Sequence, residues 1–257
     1  MIASLAMYDR AECQPANDRL WALIRDGLRA KGIDAPDRLT RGEGAYWPAW
    51  KSPDLILSQT CGYPFRARLH GQVRLVGTPD YGVEGCPPGH YRSILVARAG
   101  DGRGDAADFD GAPLAYNEAL SQSGWAAPQT HAARIGIRLP PGPATGAHRA
   151  SAQAVAEGRA DIAALDAVTW ALIQRFDPAL AALLKVVGRT DPTPGLPLIT
   201  GPAQDADLIA GCVARAIDAL SESDRATLRI RGLVRLSPAD YLAVPNPLAP
   251  DQFARSD

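Results

Sequence analysis

The sequence lacks the signals that identify several large classes of protein. No apolar run among its 257 residues approaches the roughly 20 residues that a membrane-spanning helix needs. Neither a GxxxxGKS/T nor a GxGxxG segment is present, so nothing indicates a standard nucleotide-binding loop. The formal net charge is −1, which gives no basic field for nucleic acid or for an anionic membrane surface. We therefore expect no nucleic-acid partner, no membrane span and no cofactor.

The N-terminus also lacks an export signal that sequence reasoning can recognise. The stretch "MIASLAMYDR" has no positively charged segment followed by an apolar core, as a signal peptide would. We therefore expect a soluble chain that is either cytoplasmic or exported with its signal already removed.

The cysteines show no metal-binding pattern. They stand at positions 13, 61, 86 and 212, with no CxxC pair and no histidine at zinc-finger spacing. Cys61 and Cys86 both lie in Gly/Pro-rich segments, where a disulfide and two unrelated thiols fit the sequence equally well. The sequence therefore predicts no metal site and leaves the state of these two cysteines open.

Short apolar runs alternate with segments of helical period along the whole chain. A first strand is predicted over residues 3–8, followed by a helix that Asn17 or Asp18 caps and that Gly32 ends. Such alternation is typical of an α/β protein whose sheets are mostly parallel.

The order of these segments predicts two α/β lobes. The chain begins one lobe, completes a second and returns to the first, so we assign residues 1–88 and 190–257 to lobe 1 and residues 89–189 to lobe 2. Within lobe 2, "ADIAAL" predicts a strand with Asp166 at its carboxyl end. Open α/β sheets place ligand contacts at that end of a strand, although a helix cap is an equally good interpretation of Asp166.

The segment Ser121-Gln122-Ser123-Gly124 follows a predicted strand and precedes a predicted helix. Backbone N–H groups at a helix N-terminus favour anions, serine hydroxyls donate to the same oxygens, and glycine lets a ligand approach the backbone. The simpler interpretation is an ordinary helix cap. The segment does not match the Gly-x-Ser-x-Gly nucleophile elbow, which argues against a hydrolase.

Further candidate ligand contacts lie at predicted strand and helix ends. His148 begins a helix directly after "TGA", where a histidine donates to an anion or is merely structural. Four residues of lobe 1 lie at or just beyond predicted strand ends, where core or rim positions are the simpler interpretation: Tyr8, Trp47, Gln59 and Thr60.

Several segments together, in their order and spacing, resemble a known family. They are "LILSQTCGYPF", "VRLVGTPDYGVEGCPPGHYRSILVAR", "YNEALSQSG", "GAHRASAQAVAEGRADIAALDAVTW" and "LKVVGRTDPTPGLPLIT". This set resembles the PhnD-like phosphate/phosphonate-binding periplasmic proteins of ABC importers. The resemblance implies a two-lobed type 2 periplasmic-binding-protein fold with two crossover strands, which closes by a hinge on a small oxyanion in an interlobe cleft.

The resemblance also implies roles for particular residues. Ser121 to Gly124 match the Ser-Thr-Ser-Gly segment that holds the anion, His148 matches a histidine that contacts it, and Asp166 matches an acidic residue that meets an amino group of the ligand. Tyr8, and less closely Trp47, match aromatic residues of lobe 1 that flank the ligand.

The chain departs from the family pattern at two positions of the predicted site. Gln122 stands where the family has Thr, and Ala147 stands where it has the Ser before the histidine. Both changes weaken the prediction of a fully charged phosphonate as the ligand. Cysteines in similar loops of related sequences favour a disulfide between Cys61 and Cys86.

These observations predict a periplasmic solute-binding protein that delivers a phosphonate- or phosphate-like oxyanion to an ABC permease, without a catalytic step. One alternative is an enzyme on the same fold, of the pyrimidine-precursor or menaquinone-pathway type, with His148 and Asp166 as an acid/base pair. A second alternative is a sensor that binds the same ligand but serves no permease.

Overall fold

The computed structural model describes residues 1–253. Its strands are β1 (Ile2–Ser4), β2 (Leu55–Gln59), β3 (Arg74–Asp80), β4 (His90–Tyr91), β5 (Ser93–Arg98), β6 (Leu114–Tyr116), β7 (Pro141–Ala144), β8 (Ile162–Asp166), β9 (Leu184–Arg189), β10 (Thr193–Pro194), β11 (Leu198–Thr200) and β12 (Gly232–Val234). Its α-helices are α1 (Gln14–Arg29), α2 (Trp47–Trp50), α3 (Gly62–Pro64), α4 (Ala127–Ile135), α5 (His148–Ala156), α6 (Ala167–Phe176), α7 (Pro178–Ala182), α8 (Ala206–Ala219), α9 (Glu222–Leu228), α10 (Pro238–Leu242) and α11 (Pro250–Phe253).

Shorter helical turns complete these elements. Two π-helical turns adjoin helices: Phe65–Leu69 continues α3, and Gln122–Ala126 leads into α4. The 3₁₀ turns are Ala6–Tyr8, Gly42–Ala45 and Ala106–Phe109.

The chain forms two compact units. The first comprises residues 1–90 and 194–243, and the second comprises residues 91–193 and the described part of the chain after residue 243. The predicted crossings, at 88/89 and 189/190, lie two and four residues before these boundaries, and the prediction placed residues 190–257 entirely with lobe 1. The end of the chain packs in the second unit because Trp125 Nε1 donates to the carbonyl of Leu248 at 2.9 Å and the Phe253 ring lies edge-on to the Trp125 ring.

The first unit is built on a five-stranded sheet of order β1-β2-β11-β3-β12. Strands β1 and β2 are parallel, whereas β11 runs antiparallel to both of its neighbours and β12 antiparallel to β3. Helix α1 buries an apolar stripe at helical spacing and packs against α8. A cluster of side chains with at most 2% exposure forms a large part of its core: Trp50, Leu55, Phe65, Leu69, Ile199 and Tyr241.

Two local predictions for this unit need correction. The strand predicted over residues 3–8 ends at Ser4, because the chain then turns into the 3₁₀ turn. Helix α1 begins at Gln14 rather than after Asn17, because Pro15 suits the first helical turn and Asn17 lies within the helix, where its side chain donates to Asp9 at 2.8 Å.

The second unit contains a five-stranded sheet of order β7-β6-β8-β5-β9. Strand β6 is parallel to β7 and β8, but β5 is antiparallel to β8 and β9. The α/β class is confirmed, whereas the expectation of mostly parallel sheets is wrong for both units. Strands β5, β9 and β11 supply many of the antiparallel pairs, because they adjoin the two crossings, where the chain does not follow the parallel βαβ pattern.

The chain passes from one unit to the other twice. These crossings fall at residues 90/91 and 193/194, within strands β4 and β10, which pair with each other as a two-stranded sheet. Among residues 1–253, no helix is long and apolar enough to cross a bilayer.

Candidate anion-binding site

The turn after β6 begins the helix that carries the predicted anion-binding segment. Ser121 is the N-cap, and its Oγ accepts the N–H of Gly124 at 2.9 Å. The Ser121 carbonyl accepts the N–H groups of Trp125 at 3.2 Å and Ala126 at 3.0 Å. Ser121, Gln122 and Ser123 are at most 3% exposed. The structure therefore shows that Ser121 is a helix cap, as the simpler interpretation held.

Ser123 makes a different contact from Ser121. Its Oγ lies 2.9 Å from Nε2 of His148, the first residue of α5. Its backbone carbonyl accepts the hydroxyl of Ser93, on β5, at 2.8 Å. The structure thus brings together two residues that are 25 positions apart in the sequence and that the family resemblance assigned to one site.

The imidazole of His148 is uncharged at neutral pH. Burial lowers its pKa to about 4, and the nearby carbonyl of Ala164 opposes this shift only in part. Nδ1 is buried and has no hydrogen-bond partner among residues 1–253. The ring therefore offers one neutral hydrogen-bonding nitrogen, Nε2, to Ser123.

Asn117 completes this group of side chains, and sequence reasoning missed it. A Cβ built on Gly124 would lie only 1.9 Å from Asn117 Oδ1, so glycine is what allows the amide to rest on the helix backbone. Asn117 Oδ1 is buried without a hydrogen-bond partner in the part of the chain that the structure describes. The available signal was an asparagine directly after a buried strand and four residues before Ser121.

Asp166 lies at the end of β8, as predicted, and caps the next helix. Its Oδ1 accepts the N–H groups of Val168 at 2.7 Å and Thr169 at 3.0 Å. In the sheet Asp166 is in register with Ser93, the residue that donates to the Ser123 carbonyl. The structure therefore places Asp166 near the Ser123 segment and gives it the capping role that the sequence left open.

In the first unit, two of the predicted residues meet through Tyr81. Gln59 Nε2 donates to Tyr81 Oη at 2.9 Å and to the Leu196 carbonyl at 3.2 Å. The Tyr8 ring stands edge-on to the Tyr81 ring, with centroids 5.0 Å apart. Thr60 follows Gln59 and is fully buried, and its hydroxyl has no hydrogen-bond partner within the described chain.

Trp47 lies with other aromatic residues of the first unit. Its ring is edge-on to that of Trp50 at 5.0 Å, and Lys51 Nζ lies over its face at 5.3 Å. Trp47 therefore packs against the core cluster that contains Trp50, which is the position that the simpler interpretation gave it.

The favoured disulfide does not form in the structure, where both Cys61 and Cys86 are thiols. Cys61 is buried at the start of α3 and contributes to the electrostatic surroundings of Tyr241. Cys86 instead lines a surface depression with Asp80 and Arg231. The prediction is corrected because the two cysteines have these separate surroundings. No group of side chains in residues 1–253 is suited to hold a metal ion.

Two α/β units joined by two crossings, each with a mixed five-stranded sheet, define the class of type 2 periplasmic binding proteins. Residues 53–242 match the family model described as "ABC transporter, phosphonate, periplasmic substrate-binding protein". The chain belongs to this family, whose members are substrate-binding components of transporters.

Solved structures with the same fold include three from bacteria. PhnD1 of Prochlorococcus marinus (MIT 9301), in complex with methylphosphonate, has 14% identity and a TM-score of 0.70, with 93% of this chain and 94% of that chain covered. PA3383 of Pseudomonas aeruginosa, a binding protein component of an ABC phosphonate transporter, has 15% identity and a TM-score of 0.66, with 99% and 92% covered. XAC2383 of Xanthomonas citri, bound to ATP, has 15% identity and a TM-score of 0.69, with 93% and 92% covered. No curated protein sequence matches the chain significantly.

Proposed function

We propose that this solute-binding protein captures a small tetrahedral oxyanion of the phosphonate and phosphate class, and that the second unit holds the anion. The observation that carries the proposal is the hydrogen-bonded pair of Ser123 and His148, which joins the starts of two helices at one point. The family of the chain and the methylphosphonate held by PhnD1 support the choice of ligand class.

The cradle binds an anion through neutral donors. Residues 122–135 form a continuous helical segment, and its N-terminus carries about half a positive charge. The Oγ and carbonyl of Ser121 accept the N–H groups of Gly124, Trp125 and Ala126, so we expect the ligand to take the N–H and the hydroxyl of Ser123. With its proton on Nε2, the neutral His148 ring donates to Oγ of Ser123, so the single proton of this hydroxyl stays available to the ligand. Because none of these donors carries a formal charge, no buried counter-ion has to leave when the anion binds.

The remaining predicted contacts fit the proposal as supporting residues. Gln122 and Asp166 lie close to the cradle in the second unit, and Tyr8, Gln59 and Thr60 form the corresponding polar and aromatic group of the first. We propose that the bound anion passes to an ABC permease at the periplasmic face, as the family description implies. The protein then carries out no reaction on its ligand.

Calorimetric titration with phosphate and with methylphosphonate tests this proposal. Ser123→Ala removes a hydroxyl that a buried anion needs, so we expect affinity to fall by about 1–3 kcal/mol, or roughly 5- to 150-fold. Ser223→Ala, which truncates an exposed serine on α9, serves as the control and is expected to leave affinity unchanged. Unaltered binding by the Ser123 variant would remove the basis for this cradle.

A further inference from the structure

We infer that the end of the chain, docked on Trp125, positions the turn that carries Ser123, so that docking of this end and binding of the anion strengthen each other. We call residues 244–253 the C-terminal strap. Its positioning groups are the carbonyl of Leu248 and the ring of Phe253, which act through Trp125. The inference rests on the proposed function, because it concerns how the proposed cradle is held.

The indole of Trp125 is held by both the strap and the sheet of the second unit. Trp125 is fully buried, and its Nε1 donates to the Leu248 carbonyl at 2.9 Å. The Phe253 ring stands edge-on to the indole, with centroids 6.0 Å apart. The ring of Tyr116, at the end of β6, lies 5.1 Å from the indole by the same measure. The indole therefore cannot turn without losing its bond to the strap.

Further contacts hold the strap itself in place. The N–H of Phe253 donates to the carbonyl of Ala249 at 2.8 Å, which closes the single turn of α11. The guanidinium of Arg138 lies over the Phe253 ring at 5.1 Å. Burial and the nearby carboxylate of Asp251 raise the pKa of Tyr116, as expected where α11 lies beside the end of β6. The strap therefore docks through several separate contacts within the second unit.

Trp125 belongs to the same π-helical turn as Ser123. In this turn the carbonyl of Ser121 accepts the N–H of Ala126, five residues further on, at 3.0 Å. Such turns are rare, occur frequently at functional sites, and persist where the surrounding structure holds them. Because Ser123 and Trp125 share one turn, a shift of the indole moves the backbone that brings the Ser123 hydroxyl to His148. The strap therefore helps to fix the geometry of the cradle.

The first unit holds its own π-helical turn in a similar way. Phe65 begins the turn Phe65–Leu69, and the ring of Tyr241, on α10, stands edge-on to it at 5.3 Å. The last two helices of the described chain thus each place an aromatic ring on a π-helical turn, Tyr241 in the first unit and Phe253 in the second. Of these two turns, the second carries the hydroxyl that meets His148, so there the docked ring bears on the anion.

Coupling between two sites is reciprocal. If the docked strap keeps the cradle in the form that binds the anion, the bound anion must favour docking of the strap by the same factor. A contact that only stabilises the fold gives no such response. Anion affinity and strap docking are therefore two independent measurements of one quantity.

Calorimetric titration with methylphosphonate and with inorganic phosphate measures the first. Phe253→Ala removes the ring that packs on Trp125, and we expect the affinity for the anion to fall about fivefold or more, as is typical of coupled sites. Phe176→Ala makes the same truncation at the end of α6, where Arg175 lies over the ring at 4.8 Å. This control is expected to leave the affinity unchanged.

Hydrogen exchange of the Trp125 indole N–H measures the second in the unaltered protein. The signal is followed by NMR and assigned by its loss in Trp125→Phe. Saturating methylphosphonate is expected to slow this exchange by at least the factor by which Phe253→Ala weakens binding. Trp21 is the matched control, because its buried indole also donates to a backbone carbonyl, that of Pro36 at 3.1 Å, but in the first unit. Its exchange is expected to slow much less.

Each outcome bears on a defined statement. Wild-type affinity in a folded Phe253→Ala variant, or an equal loss in Phe176→Ala, overturns the coupling and leaves the proposed function standing. Exchange at Trp125 that the anion slows no more than exchange at Trp21 has the same meaning. If circular dichroism shows that Phe253→Ala does not fold, the exchange measurement decides by itself. Binding of neither anion by the wild-type protein overturns the proposed function together with this inference.

Discussion

The two units each contain a strand followed by a polar turn with a glycine that begins a helix. We call Gln59 to Gly62 the first turn and Ser121 to Gly124 the second turn. Each leads into a helical segment that includes a π-helical turn, Phe65–Leu69 in the first unit and Gln122–Ala126 in the second. From sequence alone the two turns look alike.

Their side chains form different contacts. In the first turn, Gln59 is bonded to Tyr81 and to the Leu196 carbonyl, and Gly62 faces the ring of Tyr241, 3.5 Å from an added Cβ. In the second turn, Ser121 caps the helix and Ser123 meets His148. A polar turn before a helix is therefore not enough to support the proposal of an anion cradle. The additional features are a hydroxyl cap and a hydrogen-bonding side chain contributed by another helix.

Of the two turns, the second is expected to contribute the larger loss of unfolding free energy in acid. His148 has its pKa lowered from 6.5 to about 4, so between these values the unfolded chain binds a proton that the folded chain does not. Stability therefore rises with pH through this window, is fully present above pH 6.5, and is lost as the pH falls towards 4. The loss is on the order of 3 kcal/mol of unfolding free energy. Tyr241, whose ring packs against Gly62 of the first turn, stays neutral in acid because burial raises its pKa.

Chemical denaturation at a series of pH values, compared with His148→Gln, checks this expectation. The glutamine amide can still meet Ser123 but does not titrate, so subtraction of the two curves isolates His148. This subtraction is needed because burial also lowers the pKa of His131 in the same unit, and because carboxylates titrate in both proteins. A difference between the two proteins that does not change with pH would contradict the account of a neutral imidazole.

Much of the fold could be predicted because it depends on local patterns. The alternation of apolar strands and helices identified the α/β class, and the strand before Asp166 lies at Ile162–Asp166. Strand direction could not be predicted in the same way. Whether β5 and β11 run parallel or antiparallel to their neighbours depends on how the chain enters each sheet after a crossing, and no local residue pattern records that.

The candidate site was predictable where a motif marked it and not elsewhere. Ser123 and His148 stood in recognisable segments, and the structure brings them to 2.9 Å. Asn117 was missed because its role comes from the place where its amide rests, on Gly124, rather than from a sequence pattern. Tyr81 was missed for a similar reason, since only the folded chain brings it to both Gln59 and Tyr8.

The glycines of the two turns provide a sharper test of their difference. Gly124→Ala places a Cβ 1.9 Å from Asn117 Oδ1, so the amide must leave its position, and we expect a loss of about 1–3 kcal/mol of unfolding free energy. Gly62→Ala adds a Cβ in ordinary contact with the Tyr241 ring and gains helix propensity, so its effect is expected to lie between zero and about 1 kcal/mol of stabilisation. Urea denaturation of both variants measures the difference. Similar values for the two would show that Asn117 is not held against Gly124.

The smallest expected effect concerns two buried or partly buried threonines, one in each unit. The Thr60 hydroxyl is buried and has no partner in residues 1–253, so Thr60→Val removes an unsatisfied polar group and keeps the shape of the side chain. Stability is expected to stay within about 0.5 kcal/mol or to rise. Thr145 leads into His148, and its hydroxyl lies 2.7 Å from Ser151 Oγ and donates to the Tyr116 carbonyl at 3.1 Å. Thr145→Val removes this partner from the Ser151 hydroxyl, while the Tyr116 carbonyl keeps the N–H of residue 145 at 2.8 Å, and the change is expected to cost about 1 kcal/mol. Urea denaturation compares the same substitution in both places. A loss of unfolding free energy at Thr60 as large as that at Thr145 would mean that the Thr60 hydroxyl stabilises the free protein. The stability of both turns, and not only of the second, would then depend on polar side chains.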